Sequence, residues 1–148
     1  MDLQSLRGYS LGSGPASQEK SFLSEDEIRT YLKESRSGLQ KSLAKAGVVY
    51  TRLGARKKYS ILNVSKWLED PEKELEPVSA SEIADDMTLV FGTRHVEKKQ
   101  AAAYLGVNLN LVTNFNKGLR KLRVGRAPKL NVLDLAEALV SIQQRTSF

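Results

Sequence analysis

The sequence predicts a mainly α-helical protein with short β-hairpins, built from two copies of one unit in tandem and joined by an acidic, partly helical linker. Three observations carry this expectation. The stretch Gly47–Leu68 is echoed over Gly118–Leu139. Each copy holds a basic segment around a glycine, flanked by apolar residues in strand-like alternation. Upstream of each, apolar residues recur at helical spacing between recognisable caps.

In the echo, Gly47 aligns with Gly118, Arg52 with Arg123, Gly54 with Gly125, Lys58 with Lys129, Leu62 with Leu133 and Leu68 with Leu139. Leu53, Tyr59, Ile61 and Val64 align with Val124, Leu130, Val132 and Leu135. A kept apolar pattern implies the same buried positions, and so weighs more than the identities. Further upstream, Tyr31-Leu32 aligns with Tyr104-Leu105 at an offset two residues larger, which a longer helix in the first unit absorbs. The repeating unit is roughly 45 residues long.

In the first unit, residues 21–69, Ser24 and Glu27 form a capping-box pair ahead of Ile28, Tyr31 and Leu32. A break over Glu34–Ser37 follows. The second helix turns Leu39, Leu43 and Ala46 inward and stops at Gly47. Two short strands surround Gly54–Lys57, and Ser60 or Asn63 caps a last helix with Val64, Trp67 and Leu68 in the core. In the second unit, residues 93–148, a helix from about Val96 carries Ala101, Ala102, Tyr104 and Leu105 and breaks at Gly106. Asn108 or Asn110 caps the next helix, with Leu111, Val112 and Phe115 inward and Gly118 as its end. A tight turn around Gly125 and Pro128 leads to a final helix, capped by Asn131 or Asp134, with Leu135, Leu139 and Ile142 on one face.

Between the units, residues 70–92, Ser79 and Glu82 make a further capping box before Ile83, Met87, Val90 and Phe91, and Gly92 ends that helix. Its apolar stripe needs a cover: the two units, or a second copy of the chain in a homodimer. Residues 1–20, rich in Gly and Ser, read as a flexible arm.

The net charge of +6 is unevenly placed. Glu69–Gly92 holds eight acids against Lys73 alone, whereas the rest of the chain has 22 bases and nine acids. Basic flanks favour a polyanionic partner, and the acidic block reads first as a solvated linker. The absence of cysteine excludes disulfides, thiolate chemistry and cysteine–zinc sites. No apolar run approaches the roughly 18 residues that would span a bilayer. The N-terminus lacks a secretory pattern. A cytoplasmic protein without membrane contact is expected.

Catalysis finds little support. His95 is the only histidine, and Leu11–Ser17 lacks the lysine of a phosphate-binding loop. No enzyme activity, cofactor, metal or small-molecule ligand is expected.

The segments "QAAAYLGVNLNLVTNFNKG" and "LRVGRAPKLNV" resemble the winged helix-turn-helix of the MerR-like and excisionase families. The resemblance rests on Ala101–Ala103, Leu105-Gly106-Val107 and Arg123-Val124-Gly125-Arg126. "FLSEDEIRTYL" with "YTRLGARKKYSI" is a second match, departing from the family at Lys33-Glu34, where a Leu-Gly-like turn is the pattern. Together the matches cover about residues 21–68 and 95–142. The resemblance implies double-stranded DNA as partner, with each unit's second helix in the major groove and the basic hairpin on the backbone or minor groove. It further implies a phage or mobile-element protein: a transcription regulator, most simply a repressor, or else an excisionase-like or small-terminase-like architectural protein. From another class, a protein-interaction module docking through the middle helix is the alternative.

Rotation at 3.6 residues per turn places Ser37, Gln40, Lys41, Ala44 and Lys45 opposite Leu39 and Leu43, and Asn110, Thr113, Asn114 and Lys117 opposite Val112 and Phe115. Asn and Gln suit adenine edges and Lys suits guanine or phosphate. Arg52, Arg56, Lys57 and Lys58 on the first hairpin, and Arg120, Lys121, Arg123, Arg126 and Lys129 on or beside the second, are the backbone candidates. Two units on one chain predict an asymmetric site of two unlike halves about one helical turn apart.

Overall fold

Ser24 closes its capping box: its hydroxyl accepts from the Glu27 amide at 3.2 Å, while Glu27 Oε1 accepts from the Ser24 amide at 3.0 Å. Helix α1 (Glu25–Leu32) starts there, and Lys33 leaves it in the left-handed region at φ 57°. Ser35 caps α2 (Arg36–Ala46), which stops at Gly47. The same order recurs in the second half, where α5 (Lys98–Leu105) ends at Gly106 and Asn108 caps α6 (Leu109–Phe115). The last helices are α3 (Ile61–Glu69), capped by Ser60, and α7 (Val132–Ser141), capped by Asn131. The two helix pairs start 73 residues apart and the two last helices 71 apart. The α2 helix is longer than α6, as the sequence echo predicts, but by 11 residues against 7, and the 16 residues between α6 and α7, against 14 between α2 and α3, reduce that excess to the net two. The α6 helix, however, ends at Phe115 and not at Gly118, with Asn116 as its C-cap.

The computed structural model describes Leu6, Arg7 and residues 19–147. Among them are seven helices and two small antiparallel sheets, so the chain is mixed α/β where the sequence predicts mainly helix. Each hairpin gains a third strand. The first, β2 (Val49–Leu53) and β3 (Arg56–Ser60), is joined by β1 (Phe22–Leu23) alongside β3. The second, β5 (Lys121–Leu122) and β6 (Lys129–Asn131), is joined by β4 (His95–Val96) alongside β6. Two-residue strands are too short for alternation to announce them. A last strand, β7 (Gln143–Arg145), crosses back to pair with β2, giving the order β1-β3-β2-β7.

The middle helix α4 (Ala80–Phe91) has its own capping box, from Ser79 and Glu82. Its buried Ile83, Ala84 and Met87 lie in one cluster with Leu135, Ala136 and Leu139 of α7, so the second unit covers the apolar stripe. Leu89 on its outer side stays 81 % exposed. The residues before it are fastened to the first unit: the Leu75 amide donates to Ala46 O at 2.8 Å and the Val78 amide to Asn63 Oδ1 at 2.9 Å. Of the arm expected over residues 1–20, only Leu6, Arg7, Glu19 and Lys20 lie among the described residues. There the flexible reading is corrected for Leu6, buried in the first unit's core, and for Arg7, paired with Asp86. Ile142, expected inward, is 40 % exposed at the end of α7.

Candidate nucleic-acid interface

On α2 the apolar stripe of Leu39, Leu43 and Ala46 is buried, which leaves Ser37, Lys41 and Lys45 exposed and Gln40 half-buried. Lys45 is not wholly free, since its ammonium meets Glu72 from the acidic stretch. Arg36 and Ser42 share the exposed surface. Neither was singled out from the sequence, since rotation at 3.6 residues per turn places Ser42 beside Leu39 and Ala46 and not opposite them.

The first hairpin turns in two residues, Gly54 and Ala55, between Leu53 and Arg56. Gly54 has φ +66°, a value that suits glycine in such a turn. Arg52 and Arg56 project into solvent. Lys57 is half-buried, with its ammonium 4.9 Å from the centre of the Tyr50 ring. Lys58 is a correction. It is 3 % exposed, and its ammonium donates to Gly106 O at 3.0 Å, so it does not project as a phosphate contact. Burial holds this ammonium below the usual lysine range; Glu27 opposes the shift, while Lys20 and Arg56 add to it.

In the second unit Val112 anchors α6, and Asn110, Thr113 and Asn114 face solvent, as does Lys117 just beyond it. The Thr113 hydroxyl donates to Leu109 O at 3.1 Å, which leaves its oxygen as an acceptor. Arg120 is exposed but engaged, forking onto Asp134 through Nε at 3.0 Å and Nη2 at 2.9 Å. That hydrogen bond holds the Asp134 carboxyl below its usual range. Lys121 and Lys129 are half-buried on the paired strands. Arg123 and Arg126 stand exposed in the connection 123–128, beside Val124 at 63 % exposure. This connection is a six-residue loop and not the tight turn expected, because pairing stops at Leu122 opposite Lys129. Pro128 next to that last pair has no amide to extend the ladder.

The two units meet at the first hairpin. A Cβ on Gly54 would lie 3.2 Å from Leu111 Cδ1 of α6, so the hairpin tip abuts the second unit's helix. Gly106, between α5 and α6, has φ +66°, and a Cβ there would crowd Lys20 Cε at 2.7 Å and Phe22 O at 3.3 Å. A groove of about 510 Å³ opens along this joint, lined among others by Arg56, Lys58, Asn108, Asn110 and Asn114. Predicted site residues from both units thus share one cavity. Arg123 and Arg126 are not among its lining residues, nor are the candidates on α2. The sequence carried no signal for the joint, since contacts between units leave no local periodicity.

No protein-family model, curated protein or solved structure matches this chain.

Proposed function

We propose that the chain is a sequence-specific double-stranded-DNA-binding protein made of two winged helix-turn-helix units, acting in transcription control as a repressor of a phage or other mobile element. One observation carries the reading: strand–helix–helix–hairpin–helix occurs twice, and both times exposed polar and basic residues fall on the second helix and the hairpin. A second helix held by its buried residues, Leu39, Leu43 and Ala46 in α2 and Val112 in α6, and offering Lys41, or Asn110 and Asn114, presents groups that match base edges. Hairpin cations such as Arg52, Arg56, Arg123 and Arg126 match phosphates, which recur at one charge per about 1.7 Å of duplex axis.

The test is selection of bound sequences from a random duplex pool, followed by a salt titration on the enriched site. Enrichment of one sequence, with affinity falling steeply as salt rises, is expected. An unenriched pool with retained binding would leave an architectural role. No binding at low salt would refute DNA as the partner. Asn114→Ala and Lys41→Ala should each change the preferred base at one position, at about 1–3 kcal/mol of discrimination per good contact.

A further inference from the structure

We infer that the groove at the joint is one composite seat for a single stretch of duplex, in which the first hairpin and the second unit's helix α6 hold adjacent nucleotides. The inference rests on the DNA-binding reading and replaces two separate half-sites a full helical turn apart with one contiguous contact. Arg56 from the first unit and Asn110 and Asn114 from the second line the same cavity. The hairpin cannot swing to a distant groove on its own, because Gly54 rests on Leu111 and Lys58 is bonded to Gly106 O.

The charge at the groove suits a polyanion. Lys58 lies at the wall with its cation buried, Arg56 stands beside it, and Lys20 is paired with Glu27 nearby. One carboxylate among three cations leaves a local positive excess, and low-dielectric walls focus its field into the cleft. The division of labour follows from chemistry. The Arg56 guanidinium takes backbone phosphate, and the two amides, each with a donor and an acceptor, take base edges or sugar–phosphate oxygens. Ala55 at the tip is exposed and small, so the hairpin can approach a strand closely.

Photo-crosslinking tests this on the full chain bound to a duplex selected from a random pool. A benzophenone side chain is placed at Ala55 in one sample and at Asn110 in another, and the crosslinked nucleotides are mapped. Crosslinks within about half a helical turn, or about 5 base pairs, are expected. Crosslinks a full turn or more apart, or none from position 55 while position 110 reacts, would overturn the composite seat and leave DNA binding standing. Failure of the unmodified chain to bind any duplex at low salt would overturn both. As a check independent of the probes, Arg56→Ala should lower the salt slope by about one and shrink the hydroxyl-radical footprint next to the Asn110 crosslink. Loss of protection elsewhere on the duplex would again overturn the seat.

Discussion

Asp86 illustrates how a single residue in the acidic stretch is structural while its neighbour is not. Its carboxylate accepts from Arg7 Nη2 at 2.7 Å and from the Tyr104 hydroxyl at 2.7 Å, and Arg7 also reaches Ser21. The side chains of the ion pair are 9 % and 7 % exposed. Asp86→Ala would leave a buried cation and a buried phenol without their partner, so a loss of about 3–5 kcal/mol is expected in urea unfolding. Asp85 pairs with Arg94 in solvent, at 71 % side-chain exposure. Asp85→Ala should stay within about 0.5 kcal/mol of the parent; equal losses would show that burial does not set the difference. Two buried phenols add a pH dependence. Burial pushes both Tyr59 and Tyr104 up from their ordinary value of 10.0, with the Asp86 charge adding to the shift at Tyr104. The unfolded chain therefore gives up these protons first, near pH 10, and stability falls as pH rises beyond that. Lys58 acts in the opposite sense: its native value lies below 10.5, so its contribution increases as pH climbs towards 10.5. Melting temperatures measured from pH 8 to 11 should hold or rise slightly and then fall above about pH 10. Tyr59→Phe should flatten that fall, and an unchanged slope would remove Tyr59 from the account.

At the scale of elements, the second hairpin should behave as an electrostatic contact. Arg123 and Arg126 lie on a loop and not on a helix face, so Arg123→Ala with Arg126→Ala should weaken binding to all duplexes by a similar factor. The salt slope should fall by about one to two units, at roughly 0.9 per phosphate contact. A slope that stays put in a binding titration would mean that neither arginine touches phosphate. The elements also divide by how local their causes are. The caps at Ser24, Ser79, Asn108 and Asn131 were legible because each is a side chain bonded within two or three residues of itself. The buried stripes on α2 and α4 were legible from period alone. Strands β1, β4 and β7 were not, since they exist only as partners for hairpin edges, and the polar "QQR" of β7 has no strand signature of its own. Lys58 failed for the same reason. Alternation with Tyr59 puts it on the opposite face of β3, a face that would be solvated in an isolated unit, but the second unit covers it here. Of the candidate interface, the exposed amides of α6 and the arginines of both hairpins could be read from the sequence. The groove that joins Arg56 to Asn110 and Asn114 could not.

The whole molecule is held together by exchanges between its halves. Tyr104 O accepts from the Ser21 amide at 2.8 Å, and the Phe22 and Tyr104 rings lie 5.8 Å apart. Phe22 and Leu53 of the first unit are buried in the cluster that holds α4, α5 and α7. In return, the C-terminal segment leaves α7 and lays β7 against β2, pairing Val49 with Arg145 and Thr51 with Gln143. Thr146 is buried there, its amide donating to Val48 O at 2.9 Å and its hydroxyl to the same oxygen at 2.7 Å. Arg145 Nη1 adds bonds to Gly47 O at 3.0 Å and Leu75 O at 3.1 Å. At a net contribution of about 1 kcal/mol for each such bond, this segment supplies a large part of the margin of a small domain. Removing residues 143–148 should therefore destabilise the first unit, although every deleted residue belongs to the second. The first unit's own signal is Trp67, 4 % exposed within its core. In the full chain Trp67 fluorescence and backbone circular dichroism should report a single coincident thermal transition, because the β7–β2 pairing and the burial of Phe22 and Leu53 tie the two cores together. In the truncated chain the Trp67 transition should shift to lower temperature by more than the circular dichroism transition. Coincident transitions at an unchanged temperature after truncation would show that β7 is dispensable and that the remaining contacts suffice to couple the halves.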